Sequence, residues 1–285
     1  MNVLDPQGPI GAANATILID SVAIMLAIVV PTIIAIFAFA FWFRASNARA
    51  GYMPRWAHSG RIEMVVWSIP TLTIMLLGGV AWLGAHQLDP ARPIAGAKAL
   101  RIQAVSLDWK WLFIYPDQKI ATVNTLTVPA GTPLQFDLTS ASVMNAFFIP
   151  QLGSMIYTMN GMTSRLNLRA DKAGTYRGLS SHFSGDGFSD MGFAVNVVSD
   201  SDFAAWTQSA AGSARTLDAA AYSKLTQPST KNEPAVYRLE DPHLFDAIVS
   251  QQLPPGPGPE PGPSPSPSPH HPASSASGVG VADAR

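Results

Sequence analysis

Residues 21–43 read SVAIMLAIVVPTIIAIFAFAFWF, with no Asp, Glu, Lys or Arg among them. A helix that crosses the hydrocarbon core of a bilayer needs about 20 predominantly apolar residues, so the run predicts a transmembrane helix. Pro31 inside it is tolerable, because neighbouring helices can cover the carbonyl it frees. Residues 64–86 predict a second span, with Trp67 near one end and Trp82 near the other, as in an interfacial aromatic belt. A signal peptide is the competing reading of the first run. It fails because the apolar core is too long and no basic segment precedes it.

Charge sets the orientation. Arg44, Arg49, Arg55 and Arg61 all fall between the two runs, while residues 1–20 carry no Lys or Arg. The positive-inside rule places the 44–63 loop in the cytoplasm and both 1–20 and everything after the second span outside. The 87–99 segment is a Pro/Gly/Ala linker. Only 13% of the chain is charged and the net charge is −1, so no basic surface points to nucleic acid. Cysteine is absent, which excludes disulfides, thiolate zinc sites and copper sites that need a thiolate.

From residue 100 the texture changes to short apolar runs separated by turn residues. Strands are expected over 101–115, 120–128, 134–138, 165–168, 175–179 and 192–198, a spacing that fits a β-sandwich or Greek-key barrel over 100–198. Trp109, Trp111 and Phe113 alternate, which places them on one face of a single strand filling core or interface. Residues 199–253 turn helical, with Asp200 or Ser201 as a cap and further helices over 217–225 and 242–253. Residues 254–285 are rich in Pro, Gly and Ser, contain His270 and His271, and read as a disordered tail.

Two places carry candidate chemistry. Glu63 stands at the cytoplasmic mouth of the second span: either a solvated carboxylate balancing Arg61, or the entrance of a proton path, since ionisable groups at membrane edges mark such paths. The loop 180–191, SSHFSGDGFSDM, holds His182 and Met191 between two strands. It is either a metal loop or a tight, satisfied turn.

The order of these parts, with Trp-x-Trp on an early strand, resembles subunit II of the haem–copper respiratory oxidases, and within it the cytochrome bo-type ubiquinol oxidases. The resemblance runs from Val3 to Leu253. It rests on Arg44-Ala45-Ser46-Asn47, Val65-Val66-Trp67, Ser106-Leu107-Asp108-Trp109-Lys110-Trp111, Phe113-Ile114-Tyr115-Pro116, Ile120-Ala121-Thr122-Val123-Asn124, Ser142-Val143-Met144-Asn145, Phe147-Phe148-Ile149-Pro150 and residues 184–191. It implies a two-helix membrane hairpin followed by an extracytoplasmic all-β cupredoxin-like barrel with a small helical C-terminal cap.

The cytochrome c-oxidising branch holds two coppers through Cys-x-Glu-x-Cys-x-x-x-His-x-x-Met and an upstream His. Laid on this chain, the cysteines fall on Ser180 and Ser184, the glutamate on His182, the histidines on Phe188 and Asn145, and only Met191 survives. Serine hydroxyls cannot supply a bridging dithiolate and Phe188 has no lone pair, so these are vestigial copper positions and this chain binds no metal. The resemblance implies haems and copper in a partner subunit I, further subunits III and IV, ubiquinol as the complex's substrate, a surrounding of membrane lipids in the bacterial inner membrane, and no cytochrome c. Glu63 falls on the family's glutamate at the entrance of a proton pathway that runs through subunit I. Bo-type relatives carry a signal peptide and a lipid-modified cysteine upstream of Leu4-Asp5-Pro6; the chain as given starts at Met1, so the start is trimmed or misassigned or the anchor is missing. Two other readings stand beside this one: a cytochrome c oxidase subunit II, and a membrane-anchored binding module without an oxidase partner.

Overall fold

The computed structural model describes residues 3–51 and 53–258. Two long helices come first, α1 at Pro9–Trp42 and α2 at Gly60–Gln87, both apolar and long enough to cross a membrane. Pro9, with φ already fixed, stands in the first turn of α1, where its missing N–H costs no hydrogen bond. The 34 residues of α1 rise to about 51 Å, well beyond a hydrocarbon core of about 30 Å.

α1 therefore begins ahead of the apolar run at Ser21, and its extra turns are held from outside the membrane. The Gln7 and Gly11 N–H groups donate to the carbonyls of Gln151 and Leu152 at 2.8 and 2.9 Å, and the Asp171 N–H donates to the Gln7 carbonyl at 2.8 Å. Asn14 Nδ2 donates to Ser154 Oγ at 2.9 Å. A Cβ at Gly11 would stand 2.7 Å from the Gln151 carbonyl oxygen, so this approach of helix to loop requires glycine.

The β-domain follows as β1 (Leu100–Leu107), β2 (Lys110–Tyr115), β3 (Ile120–Val123), β4 (Thr125–Pro129), β5 (Pro133–Ser140), β6 (Asn145–Phe148), β7 (Ile156–Thr158), β8 (Ser164–Arg169), β9 (Gly174–Ser180) and β10 (Gly192–Val198). The C-terminal part supplies α3 (Asp200–Ala211), β11 (Thr216–Leu217), α4 (Ala219–Leu225), β12 (Ala235–Leu239) and α5 (Leu244–Val249). One sheet runs β11-β12-β3-β2-β1-β5-β8 and the other β4-β10-β9-β6-β7. Parallel pairing of β1 with β5 and of β4 with β10 gives the two-sheet, cupredoxin-like barrel.

Two cores explain why β2 is buried at every position instead of alternating. Between the sheets, Trp111, Phe113, Phe147 and Phe193 meet at ring separations from 5.0 to 6.5 Å. Such aromatic pairs add roughly 0.5–1.5 kcal/mol each beyond area burial. On the outer face of the large sheet, Val105, Leu112 and Ile114 pack against Leu217, Tyr222, Leu244 and Phe245 of the cap.

The stretch 101–115 is a hairpin, not the single strand that its alternation predicts. Asp108 and Trp109 form the turn, with Trp109 at φ 64°, so Trp109 leaves the face shared by Trp111 and Phe113. Three further elements differ from expectation. Ser199, not Asp200 or Ser201, caps α3 by accepting the Asp202 N–H at 3.1 Å. The cap contributes β12 to the large sheet through pairing with β3. Residues 254–258, assigned by composition to the tail, lie against the β-domain, with the Gly256 N–H donating to the Ala141 carbonyl at 2.8 Å. The rest of that tail, including His270 and His271, lies outside the described residues.

Candidate functional site

Folding gathers the six candidate positions of the β-domain at one end of the smaller sheet. Asn145 opens β6 and Ser180 closes β9, and these strands are neighbours. The loop from 181 returns through a short 3₁₀ turn at Phe188–Asp190 to Met191 and β10. The Ser180 N–H donates to the Met191 carbonyl at 3.1 Å, and the Ser181 N–H donates to the Ala146 carbonyl at 3.1 Å, so the mouth of the loop is pinned on both sides.

Inside the loop the polar groups satisfy one another. Ser180 Oγ lies 3.2 Å from Asn145 Oδ1 and 3.3 Å from the His182 carbonyl, and accepts the Ala146 N–H at 3.4 Å. Ser184 Oγ points at Met191 Sδ at 4.0 Å, a weak contact between two buried groups. Trp109 reaches in from the β1–β2 turn: its Nε1 donates to the Ser184 carbonyl at 3.0 Å. The indole lies over buried Gly187, where any Cβ would collide with the ring. His182 packs edge-on against Tyr157 and Phe183 against Phe188.

This donor set does not fit copper. The two hydroxyls face an amide and a thioether and have no thiolate character, the positions of the upstream and downstream histidines hold an amide and a phenyl ring, and the one soft donor left, Met191, is 1% exposed in the hydrophobic core. Among the described residues no group of three His, Asp or Glu gathers to hold a metal ion. A cleft of about 520 Å³ opens beside the loop, lined by Pro150, Gln151, Arg177, Leu179 and Phe188.

Glu63 sits at the other end of the molecule, in the first turn of α2. The sequence suggested Arg61 as its balancing charge, but the structure pairs it with His58. His58 Nδ1 is 2.6 Å from Glu63 Oε1, and both side chains are more than half exposed. The partial positive charge of the helix N-terminus favours the carboxylate there. His58 went unnoticed in sequence because it lies in the loop outside the helix; its spacing of five from Glu63 across a helix start was the available signal. Lys110 was missed too, hidden inside the Trp-x-Trp motif. It is a lysine at 1% exposure.

Comparison with known proteins adds the following. The chain matches the family described as "Cytochrome C oxidase subunit II, periplasmic domain" over residues 117–198, and "COX Aromatic Rich Motif" over 212–256. It is 45% identical over 254 residues to "Ubiquinol oxidase subunit 2" of Acetobacter aceti, covering 88% of this chain and 82% of that relative. With "Cytochrome bo(3) ubiquinol oxidase subunit 2" of Pseudomonas aeruginosa it shares 44% identity over 252 residues, covering 88% and 76%. The protein of the same description from Buchnera aphidicola subsp. Baizongia pistaciae is 42% identical over 254 residues, covering 88% and 89%.

Proposed function

We propose the role of this chain from one premise: it belongs to the family of ubiquinol oxidase subunit 2. It is a subunit of an oxidoreductase complex that oxidises ubiquinol and reduces dioxygen to water, and the cytochrome c oxidase alternative is set aside. The chain itself carries no redox centre. Haems and copper belong to partner subunit I, and subunits III and IV complete the assembly. The membrane is the bacterial inner membrane, with the β-domain on its outer side.

The observation that carries this reading is the closed 180–191 loop. A soluble cytochrome must hand its electron to a centre at the water-facing surface, and a dithiolate-bridged copper pair would provide one. Here the positions of that pair are filled by groups that bond to each other and to Trp109. Ubiquinol dissolves in the bilayer and delivers electrons there, so the outer domain needs no electron port. Its work is structural: the hairpin packs on the partner and the β-domain covers the partner's outer face.

Glu63 gives the chain a direct part in turnover. A half-exposed carboxylate at the cytoplasmic end of α2, with an imidazole at 2.6 Å, attracts protons and passes them to the path in the partner subunit.

The test is to purify the complex through this subunit, count haem and metal per complex, and measure oxygen consumption with ubiquinol and with reduced soluble cytochrome c. Ubiquinol supports turnover and no copper resides in this chain. Stoichiometric copper in the β-domain, or oxidation of the soluble cytochrome, overturns the reading, as does recovery of the chain without a haem-bearing partner.

A further inference from the structure

A cavity of about 460 Å³ opens between β2 and the C-terminal cap, lined by Lys110, Thr216, Asp218, Lys224, Ser229 and Tyr237 among others. Of these, Lys110 is almost wholly buried. The ammonium donates to the Asp108 carbonyl at 3.1 Å and to the Gln227 carbonyl at 2.8 Å, which leaves a third N–H without a protein acceptor among the described residues. No carboxylate of the described residues is in ion-pairing reach of it. The Asp108 carboxylate is engaged elsewhere, accepting from Ser142 Oγ and from the Gly258 N–H. A buried cation without a contacting anion is expensive, and such charges in proteins are normally paired. Desolvation lowers the Lys110 pKa to about 8, against the opposing pull of the Asp108 charge.

The rest of the lining offers donors. Lys224 adds a second ammonium, and Thr216 Oγ1 accepts from Arg238 Nη2 at 3.2 Å, while its own proton finds no acceptor among the described residues. Tyr237 brings a phenol. The one opposing charge is Asp218, whose Oδ1 already accepts the Ala221 N–H at 2.7 Å as the cap of α4.

We propose that this cavity binds a small oxyanion, a carboxylate or a phosphate, held by the free N–H of Lys110 with Lys224, Thr216 and Tyr237. The anion completes the charge balance that the protein leaves open. Because Lys110 stands on β2 and Gln227 in the cap, an anion bound here ties the cap to the barrel. This site is independent of how electrons or protons move through the complex.

The experiment uses the purified complex and follows amide hydrogen exchange across residues 216–232 with inorganic phosphate, acetate or chloride at matched ionic strength. Phosphate or acetate slows exchange relative to chloride, and the more protective of the two identifies the ligand class. Lys110→Met abolishes the response. Lys224→Gln, at the rim of the cavity, weakens the apparent Kd by roughly tenfold, the loss of about one charge-assisted hydrogen bond. Asp218→Asn keeps the helix cap and tightens binding. No oxyanion-specific protection in the wild-type complex overturns the proposal, and so does an undiminished response in Lys110→Met. If Lys110→Met does not assemble, an unchanged response in both Lys224→Gln and Asp218→Asn overturns it as well.

Discussion

Removing the Glu63 carboxylate takes away the group that faces His58 at the N-terminal end of α2, while disturbing no buried contact. Glu63→Ala therefore leaves assembly and haem content unchanged and slows oxygen consumption. The size belongs toward the lower end of the roughly 100-fold to 10,000-fold losses that follow removal of a proton-transferring group. Unchanged turnover in a fully assembled complex sinks the role. Met191→Leu is the opposite case. The swap nearly conserves volume in the core and costs under about 1.5 kcal/mol, and on the proposed function, in which Met191 only packs, ubiquinol oxidation stays at the wild-type rate; a large loss in an assembled complex contradicts this. Lys110 adds a pH dependence. Its pKa falls to about 8 on folding, so the folded state binds fewer protons than the unfolded state above that pH. Stability of the β-domain therefore rises from pH 8 toward 10. Above pH 10 the sign reverses, since burial raises the pKa of Tyr115 and Tyr222 and only the unfolded chain then loses those protons. Thermal unfolding across this range shows a maximum near pH 10 in the wild type, and Lys110→Met loses the rising limb.

Among the elements, the 180–191 loop is held by contacts of its own and needs no metal to close it. Trp109 lies on Gly187 and donates to the Ser184 carbonyl. Gly187→Ala forces a methyl into the indole and destabilises the loop by about 1–3 kcal/mol, the usual cost of overpacking. Faster hydrogen exchange at residues 181–190, with β1 and β5 unaffected, is the expected result; an unchanged loop means that Trp109 does not hold it. The two long helices were legible because uncharged runs of this length match the span of a bilayer core. Of the six candidate positions, five in the 180–191 loop and Asn145 on β6, the sequence supplied the residue types through the resemblance, and only the fold shows that they meet at one end of the smaller sheet. The turn at Asp108-Trp109 was not, because a left-handed φ at a tryptophan runs against local preference and is fixed only by what the ring touches. Nor was β12, whose place in the large sheet depends on a partner strand more than a hundred positions away in sequence.

At the scale of the whole molecule, the β-domain is not free to swing on its linker. Two attachments hold it near the membrane. The start of α1 is bonded to residues 151, 152, 154 and 171, and Asn167 donates through both its backbone N–H and its side chain to the Pro90 carbonyl at 2.8 and 3.1 Å. Meanwhile the outer faces of α1 and α2 remain uncovered by this chain, with Phe37, Trp67, Ile74 and Met75 each more than 60% exposed, so lipid and the partner subunits must cover them. The attachments thus fix the orientation of the β-domain relative to the hairpin. Gly11→Leu tests the first of them. The new side chain cannot fit against the Gln151 carbonyl and crowds the Leu152 backbone, so the start of α1 releases the domain, while the cap-side core is untouched and the inter-sheet core is pressed only at Leu152. The expected complex loses thermal stability and shows faster exchange at 151–154. On the proposed function its ubiquinol turnover per haem holds, because the β-domain is there a structural part. A drop in turnover per haem that tracks the loosened contact gives the opposite answer: the β-domain would then take part in the reaction rather than only holding the assembly together.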